Sequence, residues 1–140
     1  MTDTAVAVDY LIIGAGATGM AFADVLVSDS SSTVAIVDRN GLQITGSTED
    51  VCQLSPLDEK FEAFGFAVRR CDGNDVGELV RVLEAVPFRP GKPSLVLAKT
   101  RKGKGISFME NVAKWHHGVP NDDEFSRAMA ELEAAEAAVA

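Results

Sequence analysis

Basic residues, cysteines and long apolar runs are all scarce in this chain of 140 residues. Thirteen Lys and Arg residues against 21 Asp and Glu give a net charge of −8, which argues against a nucleic-acid partner because phosphates would be repelled. The two cysteines, Cys52 and Cys71, are too few for a disulfide framework and lack metal-ligand spacing. No apolar run approaches the length of a membrane span, and the first residues lack the basic region and cleavage site of a signal peptide. The sequence therefore predicts a cytoplasmic protein with neither a nucleic-acid nor a membrane partner.

What the chain does have is an alternation of short apolar runs and amphipathic stretches. Strands buried on both faces are predicted at residues 7–13, 33–37, 66–71 and 94–99. Helices are predicted at residues 16–27, 57–64, 76–86 and 122–139, and a long loop at residues 41–56. This alternation predicts a single α/β domain over residues 1–140, a three-layer α/β/α Rossmann-like fold around a parallel sheet of at least four strands. We expect the strand order 2-1-3-4 in that sheet.

Cap residues and apolar faces define the predicted helices. Ser55 is predicted to cap the second helix, with Pro56 at its first position. Asn74 or Asp75 is predicted to cap the third helix, and Asn121 the last. The predicted inward-facing positions are Val76, Leu79, Val80, Val82 and Leu83 on the third helix, and Phe125, Met129 and Leu132 on the last.

A glycine-rich motif, G-x-G-x-x-G, follows the first predicted strand and opens the first predicted helix. Its residues, which we predict to bind a cofactor together with Asp38, are Gly14, Ala15, Gly16, Ala17, Thr18 and Gly19. Gly14 permits the tight turn, Gly16 lets the backbone approach a pyrophosphate, and Gly19 lets helix and strand pack closely. The helix N-terminus offers N–H donors to the anion, and Asp38 could accept hydrogen bonds from ribose hydroxyls. The alternative is a tight turn that needs small residues and binds nothing.

With its flanking strands, this motif resembles the N-terminal FAD-binding strand–helix–strand unit of flavin-dependent oxidoreductases. The resemblance covers residues 1–39 and implies a nucleotide site for FAD, NAD or ADP. An acidic residue at position 38 disfavours the 2′-phosphate of NADP.

From Asn40 to Leu132 the sequence resembles transketolase, in the thiamine-diphosphate-binding region of that family. Four collinear segments carry the resemblance: NGLQITGSTEDV, PLDEKFEAFGFAV, KPSLVLAKTRKGKGISFMEN and WHHGVPNDDEF. The resemblance implies that the Asn40 side chain and the Leu42 carbonyl occupy two positions that bind a divalent metal, which in turn holds the cofactor's diphosphate. The family's aspartate ligand falls on Ala15 in this chain. Because that position has no carboxylate, no metal site is expected.

The same resemblance implies a histidine near the cofactor and substrate. His117 is the better match to that position and His116 the weaker one. The alternative for either residue is an ordinary loop histidine, which we favour. The basic run Lys99–Lys104 could attract phosphates, although a solvated loop is the preferred interpretation.

Taken together, the two resemblances predict a chimera, engineered or recombined, that is joined near Asp38 to Asn40. We expect a folded scaffold without catalytic activity that requires no cofactor, because Ala15 replaces the aspartate and the partner domain of transketolase is missing. One alternative is a binding module that holds FAD, NAD, ADP or a phosphate weakly at the glycine motif. The other is a thiamine-diphosphate enzyme fragment that resembles the N-terminal subunit of a transketolase. Self-association through exposed apolar surface stays open.

Overall fold

The computed structural model describes residues 34–138, which fall into two compact units. The first unit, which we call the sheet unit, comprises the described residues 34–39 and Ser55–Lys99. The second, which we call the cleft unit, comprises Asn40–Leu54 and the described residues 100–138. The elements in chain order are β1 Val34–Arg39, β2 Leu42–Gln43, β3 Gly46–Ser47, α1 Thr48–Val51, α2 Leu57–Ala63, β4 Ala67–Asp72, α3 Val76–Glu84, β5 Ser94–Lys99, a 3₁₀ turn Ala113–His116, and α4 Asp122–Ala137.

The sheet unit is built on a parallel sheet of three described strands, in the order β1-β5-β4. Ser94 of β5 lies opposite Val34 on one side and Ala67 on the other. The first five residues of β5 are buried, as expected for an apolar strand that is covered on both faces. The predicted mixed α/β architecture with a parallel sheet is therefore confirmed for this part of the chain.

The predicted strand order is wrong at β5. This strand was expected at an edge, but it pairs with both β1 and β4 and lies in the centre of the three. The most continuous apolar run takes the position with two neighbours, where it loses the most contact with water. The first predicted strand, residues 7–13, lies outside the described residues, and so does the helix predicted at 16–27.

The core of the sheet unit lies on both faces of β4 and β5. Cys71, Val96 and Ala98 form a buried cluster, against which Leu79, Val82 and Leu83 of α3 pack together with Ile36 and Phe88. Leu57, Phe61 and Phe66 are also buried, and the Phe61 and Phe66 rings meet edge to face with 5.8 Å between centroids. The predicted apolar face of α3 is only partly right, because Val76 and Val80 are 73% and 47% exposed.

Helix α2 begins differently from the prediction. Pro56 is its N-cap residue, without a side-chain cap hydrogen bond, and the helix ends at Ala63. The hydroxyl of Ser55, predicted to be the cap, instead accepts a hydrogen bond from Nη2 of Arg39 at 2.8 Å. Helix α3, in contrast, begins as predicted, because the Asp75 side chain accepts from the Glu78 N–H.

The cleft unit contains a small hairpin within the loop that the sequence predicts at residues 41–56. Strands β2 and β3 pair antiparallel, and α1 follows with Ser47 as its N-cap. Helix α4 begins with a capping box between Asn121 and Glu124, which confirms the predicted cap.

The predicted inward face of α4 is wrong. Phe125, Met129 and Leu132 are 57%, 41% and 42% exposed, and Ala128 is the buried residue of the helix. None of the helices in residues 34–138 is long and apolar enough to cross a membrane.

Candidate functional site

A tight turn directly after β1 forms one wall of the candidate site. The side-chain Oδ1 of Asn40 accepts a hydrogen bond from the Leu42 N–H at 2.9 Å, which closes an Asx turn. Gly41 between them has a φ of +75°, in the left-handed region that glycine adopts at least cost. Its carbonyl accepts the Thr48 N–H at 2.9 Å, so the turn is tied to the start of α1. The sequence Asn-Gly-Leu therefore fixes the position of the Asn40 amide.

The opposite wall comes from the loop after β5 and from the 3₁₀ turn. A cleft of about 270 Å³ lies within the cleft unit, and its lining residues are Asn40, Leu42, Gln43, Ile44, Lys102, Ala113 and His116. The lining thus combines two side-chain amides, one ammonium group and one imidazole with three apolar side chains. A cleft with these groups is suited to an anion with an apolar part attached to it.

The loop that carries Lys102 is held by its own backbone. The Lys102 carbonyl accepts the Asn111 N–H at 3.0 Å, and the Asn111 backbone is left-handed, with a φ of +56°. Gly103 has a φ of +69°, and a Cβ there would lie 2.7 Å from the Met109 carbonyl oxygen. Only glycine fits this position, because the neighbouring atom is backbone and cannot move aside.

Glu110 contacts two of the basic residues of this loop. Its carboxylate accepts from Arg101 at 2.8 Å and from the Gly105 N–H at 3.1 Å, and Lys104 lies 3.9 Å away. The Arg101 hydrogen bond, with that of Gly105, holds the pKa of Glu110 below its usual value. Among the described residues, no carboxylate lies within ion-pair distance of Lys102. Of the predicted basic run, Lys102 is the side chain that lines the cleft.

The two adjacent histidines have different surroundings. His116 closes the 3₁₀ turn and lines the cleft, whereas His117 is not a lining residue and packs edge-on against the His116 ring with 4.4 Å between centroids. Trp115 anchors the turn, because its indole N–H donates to the Phe108 carbonyl at 3.2 Å. The Phe108 and Trp115 rings also meet edge to face. The resemblance favoured His117, but the structure brings His116 to the cleft.

The other predicted site residues lie elsewhere. Asp38 is exposed in β1, opposite Ala98 of β5 in register. The glycine motif, Gly14, Ala15, Gly16, Ala17, Thr18 and Gly19, lies outside the described residues. Cys71 is buried, which raises the pKa of its thiol, and Cys52 is exposed. Residues 34–138 contain no group of three or more His, Cys, Asp or Glu placed to hold a metal ion.

Residues 12–135 match the family model described as the thiamine diphosphate binding domain of transketolase. The chain is 41% identical over 99 residues to one subunit of the apulose-4-phosphate transketolase of Phocaeicola vulgatus, and 48% identical over 99 residues to the protein of the same name from Actinobacillus succinogenes. Each match covers 71% of this chain, and 35% and 36% of the two relatives. The chain thus spans about a third of the length of these relatives.

Solved structures agree with this result. The crystal structure of transketolase from Campylobacter jejuni superposes with a TM-score of 0.71 at 25% identity, over 91% of this chain and 21% of that one. Transketolase from Leishmania mexicana superposes with a TM-score of 0.56 at 18% identity, which shows a shared fold.

These comparisons correct several predictions from the sequence. The family match begins at residue 12 and includes the glycine motif, so the prediction of a chimera with a flavin-dependent oxidoreductase is wrong. A nucleotide site for FAD, NAD or ADP loses its basis with it. The expectations of an inactive scaffold and of no required cofactor are also wrong. The relatives are named as subunits of transketolases, and the family model is that of a thiamine-diphosphate-binding domain.

Proposed function

The chain belongs to the transketolase family, and from this premise we propose that it binds thiamine diphosphate as the N-terminal part of a two-subunit transketolase. The reaction proposed is transfer of a ketol group between sugars. The observation that carries the proposal is the cleft, which brings Asn40 and Leu42 together with Lys102 and His116. Asn40 and Leu42 are at the metal-binding positions implied by the resemblance. Lys102 and His116 carry groups that can bind an anion.

The cleft residues fit a metal-bound diphosphate in part. The Asn40 Oδ1 accepts one hydrogen bond and retains a second lone pair, and the Leu42 carbonyl offers another neutral oxygen. Lys102 and a ring N–H of His116 suit phosphate oxygens. Mg²⁺ is usually bound through at least one carboxylate in addition to phosphate oxygens, and the lining residues of this cleft include none. The prediction that Ala15 replaces the family's aspartate stays a prediction.

Thiamine diphosphate, when bound, would supply a thiazolium ring that stabilises negative charge on the carbon of the substrate's former carbonyl group. The proposed roles of this chain are binding and orientation. The Lys102 ammonium offsets the negative charge of the diphosphate, and the two hydrogen bonds of the Asn40–Leu42 turn hold the amide oxygen in place. Ile44 and Ala113 place apolar surface beside these polar groups. A ring nitrogen of His116 can donate to, or accept from, an oxygen of the bound ligand.

We also propose that the glycine motif binds phosphate oxygens. In this proposal residues 7–13 form a fourth strand of a three-layer fold, and residues 14–19 follow the end of that strand. Backbone N–H groups of Gly14, Ala15, Gly16, Ala17, Thr18 and Gly19 would then donate to phosphate oxygens. Support comes from the family match, which includes these residues.

A second polypeptide completes the proposal. The relatives from Phocaeicola vulgatus and Actinobacillus succinogenes are each named as one subunit of a transketolase, and this chain spans about a third of their length. We propose that this chain likewise works with a second subunit, in the cytoplasm, where its sugar substrates would be found.

Isothermal titration of the full chain with thiamine diphosphate, with and without Mg²⁺, tests the cofactor proposal. Saturable binding is expected. Lys102→Gln should weaken it by roughly tenfold or more, since a hydrogen bond to a charged group contributes about 1.5–3 kcal/mol. Lys92→Gln removes an exposed lysine of the sheet unit and is the matched control. Absence of binding at millimolar cofactor, or equal loss in the two variants, would contradict the proposal.

A further inference from the structure

Helix α4 carries two different faces. Glu124, Ala128 and Glu131 lie four and three residues apart and attach the helix to the rest of the cleft unit. The Glu131 carboxylate accepts from the N–H and the hydroxyl of Ser107, Ala128 is buried, and Glu124 lies 3.9 Å from Lys114. One of the two faces is therefore in use within the chain.

The second face is an exposed apolar stripe. Phe125, Met129 and Leu132 have the same spacing, one residue further along, so they form a neighbouring row on the helix. All three are exposed by more than two-fifths of their surface. Large apolar side chains at i, i+4 and i+7 are the anchors by which one helix face recognises another.

Acidic residues surround this stripe. Asp122, Glu133 and Glu136 are exposed and lie within three or four residues of its members, on the same side of the helix. Arg127 is the single basic residue of α4, and its guanidinium lies over the Phe108 ring at 4.7 Å, on the attached side. The charged residues of α4 that border the stripe are therefore negative.

We propose that the Phe125–Met129–Leu132 stripe is a docking surface for a helix of another protein, with an apolar face flanked by Lys and Arg residues. Charge complementarity selects this occupant. A second copy of the chain would place the same three carboxylates against one another, and like charges at such distances repel. The proposal rests on α4 alone and does not depend on cofactor binding.

Fluorescence anisotropy with two synthetic probe peptides tests the proposal on the full chain. Both peptides carry the same leucine face at helical spacing, one with Lys and Arg flanks and one with Glu flanks. The basic peptide should bind at least about tenfold more tightly, and its affinity should fall as salt increases. Equal binding of the two peptides, or no binding of either, would overturn the proposal.

Variants separate this stripe from general attraction to an acidic protein. Phe125→Ser with Leu132→Ser should weaken binding of the basic peptide by about tenfold or more, because apolar anchors are lost while every charge remains. Val76→Ser with Val80→Ser, which removes exposed apolar residues from α3, should leave it unchanged. Circular dichroism of each variant reports that α4 is intact. Equal effects of the two pairs, or a wild-type dimer in sedimentation velocity that the Phe125 and Leu132 changes abolish, would refute the proposed occupant.

Discussion

Single residues with left-handed backbones set the shape of the cleft. Gly41, Gly103 and Asn111 all have positive φ. Gly41 precedes Leu42, Gly103 follows Lys102, and the Asn111 N–H donates to the Lys102 carbonyl; Leu42 and Lys102 line the cleft. The two glycines differ in their surroundings. A Cβ at Gly41 would meet no atom within 4 Å, whereas one at Gly103 would lie 2.7 Å from the Met109 carbonyl oxygen. A substitution at Gly41 therefore measures backbone strain alone, and one at Gly103 measures backbone strain together with steric overlap.

Alanine substitution at these two glycines should destabilise the protein unequally. Gly41→Ala should lower the free energy of unfolding by about 1–2 kcal/mol, the cost of a left-handed backbone with a Cβ. Gly103→Ala should cost a further amount of about 1–3 kcal/mol, because the surrounding loop must also move. Urea unfolding followed by Trp115 fluorescence measures both. Losses of equal size would show that the contact at Gly103 is relieved without cost.

At the residue scale, the resemblance identified some residues that line the cleft, and whether they bind a metal or a cofactor stays a prediction. The resemblance named Asn40 and Leu42, and both line the cleft. It favoured His117 over His116, but His116 is the last residue of the 3₁₀ turn and His117 is its C-cap, and sequence spacing alone does not orient two adjacent side chains. Lys102 was one of four basic residues in its run. The contacts of Arg101 and Lys104 with Glu110, which distinguish these residues from Lys102, are not apparent from the sequence.

At the scale of elements, one carboxylate of α4 accepts two hydrogen bonds from the loop after β5. Glu131 accepts the Ser107 N–H, and the Ser107 hydroxyl donates to it at 2.7 Å. These two hydrogen bonds, that of the backbone first, hold the pKa of Glu131 below its ordinary value of 4.5. A carboxyl group with a lowered pKa in the folded state stabilises the fold above its unfolded-state pKa.

This contribution of Glu131 should disappear in acid. The difference in free energy of unfolding between wild type and Glu131→Gln should be present at pH 7 and decline as the pH falls below 4.5, through the folded-state pKa. Urea unfolding at a series of pH values measures it, with Glu136→Gln of the same helix as the control. A difference that does not depend on pH would show that the charge of Glu131 is not involved.

Elements were predicted well where a long pattern defined them. The predicted bounds of β5 agree with the observed strand, and Asn121 caps α4, because an apolar run and a cap followed by Glu124 are strong local signals. The hairpin of β2 and β3 was missed, since strands of two residues are too short for a period to appear. The strand order was also missed, because a buried run does not specify its neighbours.

At the scale of the whole molecule, a short motif and a long resemblance gave conflicting evidence. The glycine motif covers six residues, and so short a pattern is weak evidence for one particular family. The transketolase segments are collinear over most of the chain, and the family match extends from residue 12 to residue 135. The longer pattern was the reliable one, and the chimera prediction gave too much weight to the shorter.

The central claim is that thiamine diphosphate binds in the cleft of this chain. Titration of the ¹⁵N-labelled full chain with thiamine diphosphate and Mg²⁺, followed by amide chemical shifts, tests it directly. The largest changes are predicted at Leu42, Gln43, Lys102 and His116, which line the cleft. Saturating cofactor that leaves these four amides unchanged, while shifting others or none, would contradict the claim.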